Sequence, residues 1–473
     1  MEAWSHPLRL SDATLSQLAQ GVEVPRYDRA AAKIGVVHFG PGAFHRAHQA
    51  RYFDEMLSAG HDLAVAAVAL RSGGVRAALA PQDGLYVLAT REAQPTYRVI
   101  GSLKAVLTAP ETPEAVFAHL MTARLVTATV TEKGYCLTPS GDLDLTHPDT
   151  THDLARPAVP VSLIGWLVQG LARRRAAGLA PFVTLSCDNL SDNGGKLGRA
   201  VAAFARALGD EALADWIKAE AVFPSSMVDS ITPATDDLLR AQVEAATGLT
   251  DAWPVQREGF IQWVVEDRLG DLSPAFAAAG VTLTADVAAF ERAKLRLLNG
   301  AHSTLAYAGL LKGHETVAQA MADPDLAAFV EAMMSQDIAP TLGPTPDLDV
   351  PAYIAAILAR FRNPAIVHRL SQIAWDGSQK LPFRILETTA DALAAGRSVE
   401  RLAVPVAAWM KFIESRDGQE IVDPLAAQFT ARKGVGDFLA LTTIFPPALA
   451  ANSNWRDAVE IAYAGLTATS PAG

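Results

Sequence analysis

The sequence predicts an α/β first half, built on a doubly wound sheet with helices on both faces, followed by a mainly α-helical part. Three observations predict it. Short runs rich in Val, Ile, Leu or Thr alternate with Ala/Leu/Arg-rich helical stretches through the first half, helical patterns dominate the last third, and one strand-like run ends in a Gly-x-Gly turn. In chain order, the buried parallel strands are Lys33 to Phe39, Leu63 to Leu70, Arg124 to Val130 and Pro181 to Leu185, with helical spacing at Ala47–Ser58 and Ile164–Ala177 between them. The second half offers helices at Ala285–Ala308, Val317–Met321, Leu326–Met334, Pro351–Arg360 and Pro405–Glu414, while the proline-rich Pro340 to Pro351 reads as a surface loop. The domain change falls near residue 288, giving 1–288 as an α/β unit and 289–473 as a mainly helical unit.

Length and composition narrow the function. A chain of 473 residues exceeds one ordinary domain, and 50% apolar against 19% charged residues supplies a large core. Forty Lys+Arg against 51 Asp+Glu leave a net charge of −11, which argues against nucleic acid as the main ligand. Cys136 and Cys187 are the two cysteines, too few for a disulfide framework or a four-Cys zinc site. His45 and His48 lack a nearby third ligand, so no metal is expected. Met1 to Gln20 carries charges among its apolar residues, and the uncharged run Pro157 to Ala172 is shorter than the roughly 20 residues that span a bilayer. These features predict a soluble, cytoplasmic protein with a small-molecule partner and no membrane.

The run Ile34 to His48 passes from strand through Gly40-Pro41-Gly42 into a helix. Gly40 permits a tight turn, and Gly42 lets backbone approach a pyrophosphate whose charge sits at the helix N-terminus. The third glycine of the common dinucleotide fingerprint is replaced by His45, so the run also reads as a plain two-glycine loop. The second strand ends in Arg71-Ser72-Gly73-Gly74 without the acid that accepts the ribose hydroxyls of NAD, which leaves NADP open. The candidate cofactor-binding residues are Gly40, Gly42, Phe44 and Arg71.

Phe290 to His302 places Glu291, Lys294, Asn299 and His302 in an otherwise apolar helical run. On an ideal α-helix Lys294 and His302 lie about 80° apart in azimuth and roughly 12 Å apart along the axis. A lysine in a dry cleft has its pKa lowered toward neutrality and can take a proton from an alcohol, and asparagine amides can stabilise the alkoxide. The alternative is that Lys294 and Arg296 face solvent and Asn299 ends a helix before Gly300. Ser186-Cys187-Asp188-Asn189 stands at the carboxyl end of a strand, where ligands gather in α/β sheets, although Asp188, Asn189, Asp192 and Asn193 are also turn formers.

Together these segments resemble the mannitol dehydrogenase family of long-chain, zinc-independent polyol and aldonate dehydrogenases. The resemblance spans nearly the whole chain, through Gly40 to Gln49, Thr131 to Cys136, Ser186 to Asn189, Phe223-Pro224 through Asp229, Gln262 to Arg268, Lys294 to His302 and Asp376 to Pro382. It implies an expanded Rossmann-type domain followed by a mainly helical domain, with the active site in a cleft between them and NAD as cofactor, NADP not excluded. It further implies Lys294 as general base, Asn189 and Asn299 as the oxyanion pair, His302 and Asp229 as substrate contacts, Lys380 as another, and Glu291 as a proton relay.

The stretch Asn363 to Pro382 is more similar to the fructuronate reductase (D-mannonate oxidoreductase) branch, and Arg369 and Lys380 are cations suited to a sugar-acid carboxylate. Val367 and Ser230 depart from arginines common in the family, and Gly73-Gly74 from an acidic pair. The expected reaction interconverts a secondary alcohol and a ketone on an open-chain sugar acid or polyol, with D-mannonate/D-fructuronate first and D-mannitol/D-fructose or D-arabinitol second. A non-catalytic dinucleotide or sugar-acid sensor on the same fold is the remote alternative. The family's habit points to a monomer or weak oligomer.

Overall fold

The computed structural model describes residues 8–416, 421–430 and 432–466. It divides into two compact units, Met1–Val287 and Ala288–Gly473. All strands among the described residues lie in the first unit: β1 (Ile34–Phe39), β2 (Ala64–Ala69), β3 (Tyr86–Arg91), β4 (Thr96–Ile100), β5 (Leu103–Thr108), β6 (Leu125–Ala128), β7 (Val183–Ser186), β8 (Ser226–Asp229), β9 (Val255–Glu258), β10 (Gln262–Glu266) and β11 (Thr282–Thr284). The four strands expected from sequence form, with β5 at one edge, a five-stranded sheet in the order β5-β2-β1-β6-β7, and every pair in it is parallel.

Both faces of this sheet are covered, which is why its strands read as continuous apolar runs. Val37 and Phe39 of β1, with Ala66 and Val68 of β2, pack against the helices Pro113–Thr122, Leu163–Ala176 and Asn193–Ala207. Val36, Val65 and Ala67 face the other way, onto Ala50, Phe53 and Met56 of helix Gln49–Ser58 and onto Trp263 and Phe276. Two further three-stranded sheets, β4-β3-β9 and β11-β10-β8, complete the unit. Sequence reading missed them because their strands are short and partly polar, as in Val255-Gln256-Arg257-Glu258, and carry no clear period.

The Gly40-to-Gln49 segment clamps these sheets together. His45, Arg46, His48 and Gln49 have no exposed surface. Arg46 donates through Nη1 to the carbonyl of Trp253 (2.5 Å), stands over the rings of Tyr86 and Trp253, and its carbonyl accepts from the Tyr86 hydroxyl (2.6 Å). His48 Nε2 meets the carbonyl of Gln262 at 2.8 Å.

The second unit is helical throughout its described residues. Its centre is one long run: Val287–Ala293, a π-helical turn at Lys294–Asn299, and Gly300–Leu311, which is buried nearly all round. Helix Glu400–Ser415 packs on Gly300–Leu311 and on the helix Ser453–Gly465. Two more π turns, Met333–Ile338 and Pro382–Leu386, interrupt other helices and pack against the first. Each shows the i→i+5 hydrogen bond that defines it: Gly300 N–H to the Leu295 carbonyl, Ala339 to Met334 and Glu387 to Pro382. Among the described residues no helix is long and apolar enough to cross a membrane.

Candidate active site

In the first unit the site grows from the parallel strands, whose carboxyl ends share one edge. The chain runs from β1 to β2 and β5 on one side, then returns to β6 and β7 on the other, so the order reverses between β1 and β6. Ligands of such sheets bind at that switch. Gly40 stands there with φ +88°, and a Cβ on it would lie 2.1 Å from the carbonyl oxygen of Thr129, just past β6. The position therefore admits only glycine. Gly42 N–H bonds the Gly40 carbonyl (2.7 Å) and begins the short helix Ala43–Ala47. A Cβ on Gly42 would meet little but open space, in a groove of about 310 Å³ lined also by Pro41, Leu70, Arg71, Thr129, Val130 and Ser162. A tight first glycine and an open second one fit a pyrophosphate.

Of the other cofactor candidates, Phe44 is partly buried and stacks on His48 at 5.0 Å. Arg71 is exposed at the groove rim and paired with Asp149. The Glu111 carboxylate, beyond β5, stands 3.0 Å from where a Gly73 side chain would begin, and pairs with Arg76 at 2.5 Å. Nothing in the spacing of Gly73 and Glu111 reveals this proximity.

Cys136, His147 and Asp149 bring ligand atoms within 4.8 Å of one another. Asp149 is engaged by Arg71, His147 Nδ1 accepts the Asp149 N–H, and burial pushes the Cys136 thiol up to about 11.

The Ser186-to-Asn193 segment separates into structural and exposed groups. Asp188 accepts from the N–H groups of Val130 (2.9 Å) and Thr131 (3.1 Å) and from the Tyr135 hydroxyl (2.8 Å), and burial raises its pKa. Asn193 ties the end of β7 to β8 through the Ser226 N–H (2.9 Å) and carbonyl (2.7 Å). These are the turn formers. Asn189 is exposed at the carboxyl end of β7, and Asp229 is buried at the end of β8.

In the second unit the π turn corrects the ideal-helix geometry. A π turn accommodates one extra residue, so everything beyond it falls back by about 100° in azimuth. Lys294 and His302, about 80° apart on an uninterrupted helix, come within about 20°, and Lys294 and Asn299 narrow from about 140° to about 40°. Lys294, Asn299 and Glu291 are partly buried. Arg296 is not a solvent-facing residue: it is buried, bonded to Asp391 (2.7 Å) and the Thr341 carbonyl (3.0 Å).

His302 is buried against Phe361 (4.5 Å) and His368 (5.0 Å), and its Nε2 has no hydrogen-bond partner among the described residues. Burial first, then His368, Arg360 and Arg384, hold its pKa well below the ordinary imidazole value, so the ring is neutral. Lys380 donates to the carbonyls of Trp375 (2.5 Å) and Ile373 (3.3 Å), and burial and Arg384 lower its pKa. Arg369 is exposed, its backbone bridged to Thr316. Arg384, which sequence reasoning missed, donates through Nη1 to the Asn299 carbonyl (3.4 Å) and the Ser303 hydroxyl (3.1 Å). Its contacts lie more than 80 residues away in the chain, so no local spacing signalled it.

A neutral histidine, a lysine and an amide on one helical face can bind a polyhydroxylated chain and move a proton, while the glycine groove of the first unit fits a dinucleotide. The comparisons agree with that pairing. Residues 34–276 match the model of the mannitol dehydrogenase Rossmann domain and 286–467 that of the mannitol dehydrogenase C-terminal domain. The chain is 38% identical over 476 residues to a mannitol 2-dehydrogenase of Pyrenophora tritici-repentis, covering 97% of this chain and 84% of that protein. It is 39% identical over 464 residues to the D-mannonate oxidoreductase of Escherichia coli, covering 93% and 95%. Among solved structures, Pseudomonas fluorescens mannitol 2-dehydrogenase in ternary complex with NAD and D-mannitol matches at TM-score 0.80 and 38% identity over 97% of each chain. With both domain models matched in order, the chain belongs to the mannitol dehydrogenase family.

Proposed function

We propose that this protein is a metal-independent, NAD-dependent oxidoreductase that interconverts a secondary alcohol and a ketone on an open-chain six-carbon sugar acid, with D-mannonate/D-fructuronate as the pair. The observation that supports the reaction class is the π turn, whose extra residue narrows the azimuths between Lys294, Asn299 and the neutral, buried His302. When bound, NAD supplies the hydride acceptor, at C4 of its nicotinamide. With NAD bound to accept the hydride, Lys294 would take the hydroxyl proton, so that alcohol and NAD+ would give ketone, NADH and one proton. The amides of Asn189 and Asn299 donate to the alkoxide as its charge develops, a role that otherwise falls to a metal ion. His302 Nε2 and Asp229 hold substrate hydroxyls, and Glu291 passes the proton from Lys294 to water. Gly40, Gly42, Phe44 and Arg71 form the nucleotide site, and the Glu111 carboxylate beside Gly73 favours NAD over a 2′-phosphorylated cofactor.

Arg384, near His302 and Lys380, supports an acid over a neutral polyol. The second reading, D-mannitol/D-fructose, is favoured by the names of most relatives. An NADH and NADPH oxidation panel with fructuronate, tagaturonate and fructose tests the choice. Faster NADH oxidation with fructuronate is expected; comparable rates on fructose and none on the uronates would overturn it.

A further inference from the structure

Arg384 is a guanidinium that the protein places expensively. It lies on the π turn Pro382–Leu386, whose backbone meets the first π turn at Gly300: a Cβ on Gly300 would lie 3.1 Å from the Arg384 carbonyl. The side chain is half-buried, and burial lowers its pKa. Among the described residues no carboxylate pairs with it. Its two hydrogen bonds are to neutral oxygens, the carbonyl of Asn299 and the hydroxyl of Ser303, both through Nη1. Its electrostatic neighbours make matters worse, since it opposes protonation of both His302 and Lys380.

A half-buried cation without an anion costs stability, and proteins keep such groups where a ligand completes the pair. Arginine is suited to this task, because its planar fork takes both oxygens of a carboxylate at once. We infer that Arg384 is a specificity-determining residue that receives the carboxylate of an open-chain sugar acid. Its bond to the backbone of Asn299 ties the acid-binding end of the site to the amide that holds the alkoxide. This rests on the reading of the substrate as a sugar acid. It also relocates the cation anticipated at Arg369, whose side chain is exposed, to a residue beside His302.

D-mannonate and D-mannitol differ at a single terminal carbon, carboxylate against hydroxymethyl, and so isolate this contact. Binding of each to the NADH-loaded protein is measured by tryptophan fluorescence in the wild type, Arg384→Met and Arg384→Lys, alongside turnover of fructuronate and fructose and thermal melts. The expected result is a mannonate-to-mannitol affinity ratio at least 100-fold lower in Arg384→Met, a smaller loss in Arg384→Lys, and a Tm that holds or rises in Arg384→Met as the buried charge is removed. An unchanged ratio, or equal loss of both ligands with a fallen Tm, would overturn the inference and make Arg384 a structural residue. A wild type that turns over fructose but not fructuronate, while its mannonate binding still depends on Arg384, would overturn the substrate reading and leave this inference standing.

Discussion

The glycine-loop region of the first unit and the π-turn region of the second both bury ionisable side chains, and they surround them differently. In the first, His38 is spent inside the protein, bonded to the hydroxyls of Thr127 (2.7 Å) and Thr129 (3.0 Å), and stacks at 3.4 Å on His45. Arg46 is sandwiched by rings and holds the Trp253 backbone. These groups fix the turn from which Gly40 and Gly42 act. In the second, His302 keeps a bare Nε2 and Arg384 keeps most of its fork. Neither region is fully satisfied, since both ring nitrogens of His45 and two guanidinium nitrogens of Arg46 also lack partners among the described residues; the first region packs its cation and imidazoles against rings and backbone, whereas Arg384 keeps two bonds to neutral oxygens.

Replacing Gly40 by Ala breaks the first half of that comparison most severely. The φ of +88° and a contact of 2.1 Å with a backbone oxygen predict a loss of about 3 kcal/mol or more, read by chemical denaturation. Gly42→Ala, facing open groove, should leave stability within about 0.5 kcal/mol while weakening NADH binding; equal destabilisation by the two would erase the distinction.

Asn299→Ala tests the second region. Loss of one oxyanion donor should lower kcat by about 10²–10³-fold with NADH affinity unchanged, and a kcat within tenfold of wild type would remove the amide from its role.

The histidines sharpen the contrast by pH. Burial holds His38 down to about 3, and His45 well below the ordinary value. The unfolded chain takes up these protons near 6.5 and the folded chain does not. Their contribution is therefore full above about pH 6.5 and lost as pH falls toward the folded values, by up to about 1.4 kcal/mol per pH unit for each. Stability should decline from pH 7 to 5, with a shallower slope in His38→Gln; identical slopes would mean His38 is protonated in the fold.

Arg71→Ala gives the smallest effect. Its pair with Asp149 lies on the surface, so stability should change by less than about 0.5 kcal/mol. A shift in NADPH against NADH affinity would be the sole consequence, and unaltered affinity for both would take Arg71 out of the nucleotide site.

Much of this was legible in the sequence. Alternating strands and helices announced the parallel sheet, because burial on both faces leaves an unbroken apolar run such as Ala64–Ala69. The Gly-x-Gly turn was legible because left-handed backbone forces the residue type. Two things were not. The π turn at Lys294–Asn299 leaves no mark in a period-3.6 pattern, since it is decided by packing against the turns at 333–338 and 382–386. Arg384 and Glu111 acquire meaning only through neighbours distant in the chain, so motif spacing passes over both.

The central claim is that the first unit holds the nucleotide while Lys294 of the second moves the proton. Single-turnover mixing of Lys294→Ala with NADH and ketone substrate tests it directly. The account predicts normal NADH binding with hydride transfer slowed at least about 10²–10⁴-fold. Transfer at the wild-type rate would contradict it.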